Sequence, residues 1–111
     1  MKRKTINIPI FHGQLILLQY DDNSELDSKY GINSEYGYDA IAFSDHATNG
    51  YTKYVLAMRK ITIPKIAHES LHIVQMIMRD RGMECTGVDE TESYLLQWVV
   101  YNACKFFIGS K

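Results

Sequence analysis

The stretch from Ile63 to Arg81 constrains this chain more than any other, because it reads as one helix that is apolar around most of its circumference. Thr62 is placed to cap its start, and Pro64 is tolerated in a first turn that needs no backbone donor. Arg79 and Arg81 suit the negative end of the helix dipole, and Gly82 supplies a C′ stop. At about 100° per residue, Ile66, Ile73 and Ile77 share one side, with Ala67, Leu71, Val74 and Met78 on its flank. A helix of this kind needs cover over most of its surface. The exception is a polar stripe of His68, His72, Gln75 and Arg79, which requires polar partners or an ion.

The cover has to come from the rest of the chain. Thr5 to Tyr20 carries two β-type runs around His12-Gly13, predicting a hairpin in which Gly13 can take a positive φ and His12 is a turn residue. Pro9 removes a backbone donor and places the first of these strands at a sheet edge. Asp21 to Gly37 is polar and reads as a long connection with one helical turn near Glu25 to Tyr30. Tyr38 to Ser44 and Tyr51 to Met58 form a second strand pair, joined through a segment containing His46 and the turn-favouring Asn49-Gly50. His46 reads as an exposed loop imidazole, better placed than His12 for a substrate contact. A last helix runs from about Asp89 to Ile108, with Asp89 and Glu92 as its capping box and Leu95, Leu96, Val99, Ala103 and Phe106 as its apolar stripe. Strands followed by two main helices imply an α+β fold: one domain over residues 1–111, with a small, mostly antiparallel sheet of about four strands.

Composition narrows the function classes. A net charge of −1, with Lys and Arg scattered along the chain, argues against a nucleic-acid surface. The longest aliphatic run, Leu15 to Leu18, is too short for a membrane span or a secretory core, so the expected location is cytoplasmic. With no secretory segment, Cys85 and Cys104 read as reduced thiols, and Cys104 as a filler of an apolar helix.

Within the constraining helix, His68-Glu69-Ser70-Leu71-His72 has the spacing H-E-x-x-H. Residues four apart stack on one helix face, so both imidazoles can reach one ion, and Glu69 leans over the same turn as a general base for metal-activated water. A hydrolytic zinc wants three protein ligands and an open position, and the helix that follows opens with Asp89, Glu90 and Glu92. Glu92 already has a role in the cap, which favours Glu90 as third ligand, with Glu92 the alternative and Asp89 third. Glu90 shares a stripe with Tyr94, Gln97 and Tyr101, which is expected to face the histidine stripe; Tyr94 reads first as a packed helix aromatic and only second as an oxyanion donor.

The His68 to His72 motif followed by Glu90-Thr91-Glu92-Ser93-Tyr94 resembles the gluzincin branch of zinc metallopeptidases, and most of all its very small phage and mobile-element members. Ile8-Pro9-Ile10, Ala67-His68-Glu69 and the run Glu90 to Leu95 follow the family's order over most of the chain, with Ser93 where the family often has Ala. The resemblance implies a zincin-like domain with Zn2+ as cofactor, a peptide or protein substrate, and Tyr51 to Met58 as the edge along which an extended substrate lies. A second expectation is a catalytically inactive, zinc-stabilised phage or mobile-element protein that binds a partner protein.

Overall fold

The computed structural model describes residues 1–9, 11–31, 38–46, 52–83 and 90–109. Their architecture is α+β: a sheet of four strands in the order β1-β2-β4-β3, built from β1 (Lys2–Asn7), β2 (Gln14–Gln19), β3 (Ala40–His46) and β4 (Thr52–Met58). The pairs β1/β2 and β3/β4 are antiparallel, while β2 and β4 run parallel at the centre.

The two central strands show why the layers form. Every residue from Leu15 to Leu18 and from Tyr54 to Met58 is buried, as expected of strands covered on both faces. Alternation then sorts them. Leu15, Leu17, Tyr54, Leu56 and Met58 join the core beneath α2 (Ile63–Asp80) and α3 (Glu90–Cys104), whereas Ile16, Leu18, Val55 and Ala57 point to the opposite face. That second face is covered by α1 (Asn23–Tyr30) through Leu26. The single helical turn expected within Asp21 to Gly37 is thus a helix of eight residues. Its ends are written in the sequence. Asp22 and Glu25 form a reciprocal capping box, and Gly31 closes the helix at a φ of 69°.

The constraining helix has the ends expected of it. Thr62 Oγ1 accepts from the Lys65 amide at 3.3 Å. At the other end, Gly82 adopts a φ of 69°, its amide donates to the Arg79 carbonyl, and the Met83 amide reaches back to Met78 at 2.9 Å. These two bonds make a Schellman closure. The cover is narrower than the sequence implies. Ile66, Ile73, Val74, Ile77 and Met78 are buried, but Ala67 is exposed, Leu71 is 38% exposed and Ile63 65%. One sheet and one neighbouring helix cover one side of α2, and its outer flank stays in water.

In α3, Leu95, Val99 and Ala103 are buried as expected, Leu96 is half-buried, and Phe107 rather than Phe106 completes the line. The helix widens into a π turn over Lys105–Gly109, which carries the buried position four residues past Ala103.

The edges of the sheet are β1 and β3. This corrects the expectation that Tyr51 to Met58 forms a substrate-bearing edge: β4 is paired on both sides, by β2 and by β3. No helix among the described residues is long and apolar enough to cross a membrane, and Cys104 is a free, half-buried thiol.

Candidate metal centre

His68 and His72 sit one turn apart in the middle of α2, on its outward face, and both are exposed. Their Nε2 atoms are 3.2 Å apart, and their rings meet edge to face with centroids 4.8 Å apart. Two imidazole nitrogens at this distance share either a proton or a cation. Zinc lies about 2.0–2.1 Å from an imidazole nitrogen, and a 3.2 Å separation then subtends an angle of about 100° at the ion, near tetrahedral. The pair therefore fits two ligands of one zinc.

Glu69 is turned inward beside the pair, its side chain 13% exposed against 69% for His68, with Oε1 at 3.9 Å from His68 Nε2. The carboxylate is thus held next to the space both nitrogens address, at a distance where an intervening water could touch both. Ser70, the next residue, is fully buried and its hydroxyl has no hydrogen-bond partner among the described residues.

A cleft of about 520 Å³ opens beside the motif. One wall is the α2 face of Glu69, His72, Gln75, Met76 and Arg79, and the other is Tyr38 with Ala40, Ile41 and Ala42 of the edge strand β3. Between the lining residues Tyr38 and Ala40, Asp39 Oδ1 accepts from the Arg59 guanidinium at 2.6 Å, and Lys65 Nζ lies 3.5 Å from Asp39 Oδ2. The Arg59 hydrogen bond is the main reason the Asp39 carboxyl is held below the usual carboxylate range. The Asp39 carbonyl also accepts from the Arg59 and Lys60 amides, fixing the start of β3 to the end of β4. This polar cluster was not anticipated, since nothing in the spacing of Asp39, Arg59 and Lys65 marks them as neighbours.

The expected third ligand is placed differently from the histidines. Glu90 is exposed at the start of α3, Glu92 is half-buried, and Asp89 lies outside the described residues. Among the described residues, no group of three His, Cys, Asp or Glu side chains is close enough to hold a metal. The two polar stripes line different hollows. Tyr94, Gln97 and Tyr101 line a groove with Pro9 and Trp98 beside the β1–β2 turn, while His72, Gln75 and Arg79 line the cleft against β3. Tyr94 is 67% exposed in that groove and is not among the residues of the cleft at Glu69. His12 is an exposed turn residue whose carbonyl accepts from Arg81. His46 ends β3, and its side chain lies outside what is described.

Comparison with known protein families, with curated proteins and with solved structures found no match to this chain. The site therefore rests on its own geometry.

Proposed function

We propose that the protein is a zinc-dependent hydrolase of peptide bonds, acting in the cytoplasm on a peptide or protein substrate. The observation that carries this reading is the convergence of His68 and His72 at 3.2 Å with the Glu69 carboxylate beside them, at the mouth of a cleft bounded by a sheet edge. His68 and His72 would hold the metal. Bound there, zinc would lower the pKa of a coordinated water and polarise a substrate carbonyl.

The remaining work belongs to the protein. Glu69, largely shielded from solvent, takes a proton from the attacking water and returns it to the leaving amine as the C–N bond breaks. The outer edge of β3 offers backbone donors and acceptors that align an extended chain with Glu69. Glu90 remains the proposed third donor, with Glu92 the alternative.

A second reading is favoured by the exposure of both imidazoles, which no third His, Cys, Asp or Glu among the described residues joins as a metal-holding group. In it, the protein is a zinc-stabilised phage or mobile-element factor that grips a partner protein without cutting it.

Glu69→Gln separates the two. Peptide hydrolysis by the zinc-loaded protein should fall by at least about 100-fold, the usual contribution of a general base, with zinc affinity unchanged. Equal rates for the variant and the parent, or no cleavage of any member of a broad peptide library by the parent, would remove the hydrolase reading in favour of the second.

A further inference from the structure

The cleft is electrically asymmetric along its length. Helix α2 and strand β3 run in the same direction. Asp39, just before β3, contacts Lys65 in the first turn of α2, and Tyr54, near the start of the antiparallel β4, contacts Asp80 at the end of α2. Along this shared direction Glu69, His72, Gln75 and Arg79 follow one another down the helix wall of the cleft. Arg79 is seven residues beyond His72, or about 10 Å at the helical rise.

The charge on Arg79 is available to a ligand. Its side chain is 68% exposed, and among the described residues its carboxylate contact is Asp80 Oδ1 at 3.8 Å from Nε, beyond hydrogen-bond reach. Asp80 is itself committed, its Oδ2 accepting from the Tyr54 hydroxyl at 2.6 Å. Arg59 and Lys65 differ, because both turn to Asp39. Among the described residues Glu69 is the one acidic residue lining the cleft, at the far end from Arg79. Opposite, Ala40 and Ala42 are short side chains on a strand that, among the described residues, pairs with β4 alone.

We infer that the cleft takes an extended peptide as an added strand on β3, with an acidic side chain of that peptide against Arg79. Antiparallel addition is the slightly more stable mode, and it runs the peptide from Arg79 towards His68. An extended strand advances about 3.4 Å per residue, so the span of about 10 Å from Arg79 to His72 covers three residues. The acidic residue thus lies three positions N-terminal to the residue over the histidine pair. The inference rests on reading this cleft as a peptide site, and it adds a specificity-determining residue to it.

The test uses zinc-loaded Glu69→Gln protein and three ten-residue peptides that carry Glu, Gln or Lys at the chosen position and are otherwise identical. Binding is followed by fluorescence anisotropy and by the amide NMR shifts of Ala40, Ile41 and Ala42. The Glu peptide should bind about threefold more tightly than the Gln peptide, as expected of a solvent-exposed ion pair, and the Lys peptide least well. Adding Arg79→Glu should invert the order. Equal binding of the three peptides, or an order that Arg79→Glu leaves unchanged, overturns the inference. Shifts that bypass Ala40 to Ala42 overturn it as well. Discrimination by Arg79 in a protein whose parent cleaves nothing would remove the hydrolase reading and keep this one. Cleavage without discrimination would do the reverse.

Discussion

The hydroxyl of Tyr20, buried at the end of β2, donates to the backbone carbonyl of Tyr38 at 2.5 Å and so anchors a residue that lines the cleft. Burial is the main cause that pushes this phenol up to about 12; Arg59 opposes it, and Asp39 and Glu69 add to it. The consequence for stability has a definite sign. Between about pH 10 and pH 12 the unfolded chain ionises Tyr20 while the folded chain keeps its proton, so stability falls as pH rises through that window. Tyr20→Phe should cost about 1 kcal/mol near neutrality through the lost hydrogen bond. It should also flatten the alkaline loss. Urea unfolding at about pH 9 and pH 11 checks this: the parent must lose more stability between the two than the variant does, and an equal loss would dissociate Tyr20 from the effect.

Zinc should stabilise the fold through the histidine pair. At free zinc a hundredfold above Kd the gain is about 2.7 kcal/mol, which for a domain of this size raises Tm by roughly 10 °C or more. His68→Ala and His72→Ala should each abolish that rise and leave the Tm without zinc nearly unchanged, because both side chains are exposed. Glu90→Gln should weaken zinc binding at least tenfold if α3 supplies the third donor, with Glu92→Gln the control for the alternative. Differential scanning fluorimetry across a zinc titration reads all four variants. A Tm that zinc does not move in the parent would end the metal assignment.

Much of this arrangement is legible in the chain because it is local. Thr62, Pro64 and Gly82 mark the ends of α2, H-E-x-x-H sets both imidazoles on one face, and Gly13 marks its turn, since each depends on neighbours within a few residues. The Asp22–Glu25 box and Gly31 were just as local and fix the whole of α1. What spacing could not supply is the partner of each face. The parallel pairing of β2 with β4 makes β3 the edge and turns the histidine stripe towards it, and that pairing joins residues about forty apart, such as Leu17 and Leu56. The same long-range choice sets the Tyr94 stripe against Pro9 rather than against the histidines.

The partial cover of α2 makes a paired prediction. Ile73 is fully buried in the core shared by the sheet, α2 and α3, so Ile73→Ala leaves a cavity and should cost about 2–5 kcal/mol. Leu71 lies two residues away on the same helix but is 38% exposed, and Leu71→Ala should cost well under about 1 kcal/mol. Chemical denaturation of both variants checks the contrast. Comparable losses would mean that the outer flank of α2 is covered in solution, for instance by a second copy of the chain.

Gly13 is where the first hairpin meets the centre of the sheet. Its φ of 117° lies in the region that side chains avoid, and a Cβ there would stand 2.7 Å from the backbone carbonyl oxygen of Thr52. That oxygen belongs to β4, whose pairing with β2 begins at the next residue of each strand, Lys53 opposite Gln14. It cannot yield without disturbing the parallel ladder. Gly13→Ala should therefore cost about 2–3 kcal/mol, the sum of a strained φ and a displaced strand. The disturbance should run along β4, which ends at Met58 just before Arg59, so the Arg59–Asp39 contact should feel it. Amide hydrogen exchange separates this from a local turn effect. Faster exchange in both β2 and β4, with α1 unchanged, is the expected pattern, and exchange altered only at residues 11–13 would confine Gly13 to the turn.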